Sequence, residues 1–166
     1  MPEPAGFSQL PYASALRWAA MTGPVLGLDL GARRIGLAIS DSAASIAFPA
    51  GHLERRGRER DLSALRQLAE ERCVVRIVVG LPLHLDGRAG TGAEAARAFA
   101  AALGEATQLP VELVDERWTT REAERALREA PAGRRRGRRQ RLDAMAATLL
   151  LRTYLEQARG DVGDLP

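Results

Sequence analysis

Apolar and polar positions alternate with two different periods along the chain. Residues 24–30 and 35–40 are apolar runs joined by Gly31-Ala32-Arg33-Arg34, the pattern of two strands and a hairpin. Residues 47–53 form a candidate third strand of an antiparallel meander, and Pro49 and Gly51 mark it as an edge. The period then lengthens. Over 58–72, Leu62, Leu65, Leu68 and Ala69 share one helical stripe. Residues 74–79 return to a continuous β-branched run, as in a strand buried on both faces. An Ala-rich helix follows over 91–103, expected to stop at Gly104, and then a short strand over 110–114. A helix is predicted from Thr119 or Thr120 to Glu129, where Thr119 and Glu122 fit a capping box. A last helix is predicted over 141–157, with Leu142, Met145, Ala146, Leu149, Leu150 and Tyr154 on its buried side.

The order β-β-β-α-β-α-β-α-α predicts an α/β fold. Its sheet is mixed and five-stranded, a three-strand antiparallel meander plus later parallel strands, with helices on both faces. The length of 166 residues suits one domain. Residues 1–23 are expected to be a flexible N-terminal extension, with Met21 an alternative start, 24–158 the folded domain, and 159–166 a frayed C-terminal tail.

Composition changes this picture little. The chain is 46% hydrophobic and 27% charged, ordinary for a soluble globular protein. No apolar stretch approaches the roughly 20 residues that span a bilayer, so no membrane partner is expected. The first residues carry no basic and apolar leader pattern. Cys73, the single cysteine, makes neither an intrachain disulfide nor a cysteine-rich metal site. A cytoplasmic location is expected.

Charge changes it more. Arg134, Arg135, Arg136, Arg138, Arg139 and Arg141 fall within eight residues, and removing them would turn the net charge of +3 into −3. Every basic residue besides the histidines is Arg, which coding bias in a GC-rich genome explains. The run suits contacts to a nucleic-acid backbone, with a solvated linker as the alternative. Arg33 and Arg34 at the hairpin and Arg117 after the last strand are further candidates for phosphate contact; a solvated tip and a simple ion pair are the competing readings.

Three acidic positions stand out. Asp29 interrupts an apolar strand, where an unpaired carboxylate is costly. Asp115 and Glu116 sit at the C-terminal end of a strand, where open α/β sheets place their sites. Asp143 is expected in the first turn of the last helix. Converging carboxylates without His or Cys suit a hard divalent cation, Mg²⁺ or Mn²⁺, and phosphodiester chemistry. Each acid also has an ordinary reading: an Asx-type turn at Asp29, a turn residue at Asp115, and helix-start acids at Glu116 and Asp143. His84 reads as a loop bystander, with a ligand role as the alternative, and Trp118 as a core or half-buried aromatic, with base stacking as the alternative.

Four blocks resemble the RuvX (YqgF) family of pre-16S rRNA nucleases and Holliday-junction-resolvase-like proteins. They are Leu28-Asp29-Leu30-Gly31 with Arg34-Ile35-Gly36-Leu37-Ala38, Ile77 to Leu83 with Asp86-Gly87, Val114-Asp115-Glu116-Arg117 with Thr119-Thr120, and Asp143-Ala144-Met145-Ala146-Ala147 before Leu149-Leu150-Leu151. The resemblance implies an RNase H-like fold and catalytic, metal-holding carboxylates at Asp29, Glu116 (alternate Asp115) and Asp143. It implies Mg²⁺ or Mn²⁺ and a nucleic-acid substrate: an rRNA precursor cut near its 5′ end, or single-stranded or branched DNA. Monomer and homodimer are both compatible. A non-catalytic rRNA-binding assembly factor is the main alternative. A phosphotransferase of the actin and sugar-kinase type lacks room for its second domain. The chain departs from the family pattern in its extension, in Trp118, and in the Arg run replacing a Lys-containing segment. With Asp29 at a site corner, Gly31 and Gly36 are expected to leave one hairpin face open to a phosphate backbone.

Overall fold

The computed structural model describes residues 23–82, 90–115 and 135–163, with backbone only for 135–140 and 160–163. Its elements are β1 (Val25–Leu30), β2 (Arg34–Ser40), β3 (Ala47–Glu54), α1 (Arg58–Glu71), β4 (Arg76–Leu81), α2 (Thr91–Thr107), β5 (Val111–Asp115) and α3 (Arg135–Gly163). The helix predicted over 119–129, Arg134 and the loop around His84 lie outside the described residues.

The sheet order is β3-β2-β1-β4-β5. β1 pairs antiparallel with β2 and parallel with β4. β2 pairs antiparallel with β3, and β4 parallel with β5. The meander, the later parallel strands and the edge position of β3 are as the sequence predicts. β4 begins two residues later than expected, because Val74 still donates its N–H back to the Ala69 oxygen at the end of α1, and it runs on to Leu81.

Strand alternation sorts the side chains onto two faces. Leu26, Leu28, Ile35, Leu37, Ile77 and Val79 join Leu65, Ala69, Phe99, Ala100 and Leu103 in a core under α1 and α2. Val25, Ala38 and Val78 join Ala147, Leu151, Tyr154 and Leu155 in a core under α3. Leu26, Leu28 and Ile77 are fully buried. Each such side chain contributes roughly 2 kcal/mol through removal of apolar area from water.

Two helices run further than their sequence pattern suggests. α2 passes through Gly104 and ends at Thr107, capped by Gln108 in the left-handed region at φ 57°. An added Cβ at Gly104 would meet Val111 Cγ2 at 3.5 Å, an ordinary packing distance. α3 begins at Arg135 rather than 141 and continues to Gly163. Arg135, Arg136, Arg138, Arg139 and Arg141 therefore lie on helix, not on a linker. Asp143 stands two turns inside α3, which removes the reading of it as a first-turn acid.

At Gly36 the backbone of α3 comes close to the sheet. A Cβ there would overlap the Asp143 carbonyl oxygen and lie 3.2 Å from the Asp143 Cα. The hairpin face expected to stay open at Gly36 is covered by helix backbone, because only a hydrogen side chain lets α3 sit this low. Gly27 has a similar role further along the helix, with Leu151 Cβ at 2.9 Å from an added Cβ and the Ala147 oxygen at 3.3 Å.

These two kinds of glycine separate in unfolding experiments. Gly36→Ala is expected to cost about 3 kcal/mol in urea denaturation, because helix backbone must move. Gly104→Ala is expected to gain about 0.5–1 kcal/mol, since the helix interior loses a flexible residue without a clash.

Candidate active site

Asp29 has the strand parity of Val25 and Gly27 and so lies on the α3 face, half-buried near the end of β1. Its Cα partner across the hairpin is Gly36. Gly36 in turn packs against the backbone of Asp143. One contact chain, Asp29 to Gly36 to Asp143, brings together two acids separated by more than a hundred residues.

Arg34 shares this face. Its Nε donates to Glu54 Oε1 at 2.6 Å, and its Nη1 lies 3.9 Å from Asp143 Oδ2. The Glu54 pairing follows from register, Arg34 standing opposite Glu54 across β2 and β3. The Arg34 hydrogen bond is the main cause holding the Glu54 carboxyl below the ordinary glutamate range. Arg34 is thus a structured neighbour of the site rather than a solvated hairpin tip, whereas Arg33, next to it, is exposed.

The turn carrying these residues is held from outside the sheet. Gly31 N–H donates to the Arg34 oxygen at 2.8 Å, closing the hairpin. Arg55 N–H donates to the Arg33 oxygen at 3.0 Å, and its Nη1 to the Gly31 oxygen at 3.0 Å. The same guanidinium pairs with Asp61 at 3.3 Å and stacks over Phe99 at 5.7 Å. Asp61 is only 1% exposed and also accepts the Arg56 N–H at 2.8 Å. A buried carboxylate needs such partners, and removing one typically costs about 3–5 kcal/mol. Neither Arg55 nor Asp61 stands out in the sequence, because their role depends on which strand β3 pairs with.

A second polar group lies under α3. Arg76, 5% exposed, donates to Glu112 Oε1 at 2.5 Å and to the Tyr154 hydroxyl at 2.7 Å. Burial pushes the Tyr154 hydroxyl above its ordinary range. This network ties α3 to β4 and β5, and so fixes the helix that carries Asp143.

The remaining candidates divide clearly. Asp115 ends β5 with the parity of Val111 and Leu113, which places it on the α1 and α2 face, opposite Asp29. Glu116, Arg117 and Arg134 lie outside the described residues. Arg135, Arg136, Arg138 and Arg139 occupy the start of α3, ahead of Asp143 and beyond the hairpin end of the sheet, and Arg141 is exposed. Among the described residues, no group of three or more His, Cys, Asp or Glu side chains gathers to hold a metal ion. The two acids that do converge offer oxygen donors only, and that chemistry fits a hard divalent ion.

An RNase H-like sheet with Asp29 on its α3 face and Asp143 on the helix packed against that face defines the class. A family profile described as "RuvX: Holliday junction resolvase" matches residues 23–157. A protein named "Putative pre-16S rRNA nuclease" from Anaeromyxobacter is 47% identical over 131 residues, covering 79% of this chain and 95% of its own length. One of the same name from Syntrophomonas wolfei is 43% identical over 132 residues, covering 80% and 93%. The chain belongs to the RuvX family. Its fold also resembles a RuvC from Thermus thermophilus solved with a Holliday junction substrate (TM-score 0.54, 12% identity, 86% of this chain and 97% of that one).

The Arg34–Glu54 pair makes a pH prediction. A carboxylate with a depressed folded pKa stabilises the fold above its unfolded value of 4.5, and loses that contribution as pH falls through the folded value. Carbon-detected NMR titration is expected to give a Glu54 midpoint below 4.5 in the wild type. Arg34→Gln should return it toward the ordinary range.

Proposed function

We propose that this protein is a divalent-metal-dependent nuclease that hydrolyses phosphodiester bonds in precursor 16S rRNA and trims its 5′ end in the bacterial cytoplasm. The observation that carries the reading is the packing of Gly36 on Asp143, which sets Asp143 beside Asp29 on the α3 face. Membership in the RuvX family and the names of the relatives support it. The folded nuclease domain is proposed to span 24–163 with 1–23 as an appendage, since α3 runs on past the end expected at 158.

Asp29, Glu116 and Asp143 are the residues proposed to hold one or two Mg²⁺ or Mn²⁺ ions. When bound, such ions supply positive charge for a transferring phosphoryl group and favour ionised water near neutral pH. The chain's own contribution is positional. The strand pair presents Asp29, the glycine contact fixes the height of Asp143, and Arg34 supplies a cation beside them. Glu116 is preferred to Asp115, because the latter falls on the other face of the sheet. The arginines at 33, 117, 134, 135, 136, 138, 139 and 141 are proposed to hold the phosphate backbone, giving affinity with little sequence readout.

The description of the matching family favours a second substrate, the four-way DNA junction. Cutting both strands of a junction needs two active sites and hence a homodimer, whereas trimming an RNA end is open to a monomer. Both substrates belong in one assay.

With Mn²⁺ or Mg²⁺ present, Asp29→Asn, Glu116→Gln and Asp143→Asn are each expected to lower cleavage at least ~100-fold, the order seen when a positioned charge is lost from a catalytic site. Asp115→Asn is expected to stay within about threefold of wild type, as for a carboxylate that contributes no such stabilisation. Gel-resolved cleavage of a 5′-extended 16S rRNA fragment and of a DNA junction reads all four. Cleavage by Asp29→Asn at the wild-type rate would sink the mechanism.

A further inference from the structure

Two arginine-bearing segments well separated in sequence meet at one corner of the molecule. The hairpin carries Arg33 and Arg34, and the turn from β3 into α1 carries Arg55, Arg56, Arg58 and Arg60. Antiparallel pairing of β2 with β3 sets Arg34 opposite Glu54, and the Arg55 N–H bonds the Arg33 oxygen at 3.0 Å. Not all of these cations are available. Arg34 is occupied by Glu54, and Arg55 by Asp61 and Gly31. Arg58 is held by the Ala98 oxygen at 3.3 Å.

Arg56 and Arg60 differ. Both are exposed, and among the described residues neither forms a salt bridge. Both line a cleft of about 350 Å³ with His52, Leu53, Glu54 and Asp61. The two acids in this lining are already matched, Glu54 by Arg34 and Asp61 by Arg55. The uncompensated charge in the cleft is therefore positive. Glu54 is also the partner of Arg34, whose Nη1 lies 3.9 Å from Asp143 Oδ2, so the cleft connects to the carboxylate site through the Arg34–Glu54 pair.

We infer that this cleft is a phosphate subsite. Arg56 and Arg60 grip the nucleic-acid backbone next to the scissile position, on the β3 side of the site. The inference rests on the nuclease reading for the position of the scissile bond, but the binding it describes is measurable without catalysis. Arginine suits the task because its planar fork donates to two phosphate oxygens at once. Continuity with Arg33 and with the carboxylates favours a nucleic-acid strand over an acidic protein, since a strand crossing Asp29 and Asp143 needs backbone contacts on both sides.

Fluorescence anisotropy in EDTA reads binding apart from cleavage. The probe is a labelled RNA hairpin with a 5′ single-stranded extension. Arg56→Gln/Arg60→Gln is expected to bind roughly tenfold more weakly at low salt, and its slope of log affinity against log salt should be shallower by about 1.5, as loss of two phosphate contacts requires. Arg66→Gln/Arg72→Gln, which removes two charges toward the other end of α1, is the charge-matched control and is expected to follow wild type closely. Thermal melts of both variants check folding. If the two double variants bind alike, or if wild type does not bind the probe, the subsite is overturned. If wild type binds, the subsite variant loses affinity and slope, and no metal condition gives cleavage, the subsite stands and the nuclease reading fails.

Discussion

The structure depends on a contact with no side chain in it. At Gly36 the sheet offers only a hydrogen, and the backbone of Asp143 occupies the space a Cβ would need. Helix α3 can therefore lie low across β1 and β2. Its height sets where Asp143 falls relative to Asp29, because Asp29 is the strand partner of Gly36. Steric exclusion of this kind is all-or-none within a few tenths of an ångström, since packed interiors transmit displacement rather than absorb it. A glycine that reads in sequence as a turn-former or an open face is the spacer that assembles the acids.

Around that contact the fold supplies two anchors. Arg76, Glu112 and Tyr154 hold the far half of α3 to the parallel strands. Arg55, fastened to the buried Asp61, holds the hairpin turn beside the carboxylates through the oxygens of Gly31 and Arg33. Both anchors bury charge, and each is tolerated because its partners are in place. The polar groups that hold the elements of the site thus lie outside it.

Much of the fold is legible in the chain. The alternation in β1 and β2, the β-branched run of β4 and the stripe of α1 yield the meander, the parallel strands and two helices through local periodicity. Helix length is not legible in the same way. Gly104 carries a helix-breaking propensity that tertiary packing overrides, and the arginines from 135 onward show no apolar period although their backbone is helical. Of the site, Asp29 and Asp143 are readable as acids in apolar surroundings. Their juxtaposition is not, because it depends on Gly36. The roles of Glu54, Arg55 and Asp61 are hidden for a related reason, since cross-strand partners are visible only once register is known. Register also separates Asp115 from Asp29, a distinction the adjacent Asp115-Glu116 pair does not show in one dimension.

Asp29 and Asp143 are proposed as two holders of one cation site. A crystal of the protein soaked in Mn²⁺ tests it through anomalous scattering. The expected result is a manganese peak beside the carboxylates of Asp29 and Asp143, which with Glu116 would hold the ion. A well-ordered crystal with these carboxylates in contact with Arg34 alone, and manganese elsewhere or absent, would contradict it.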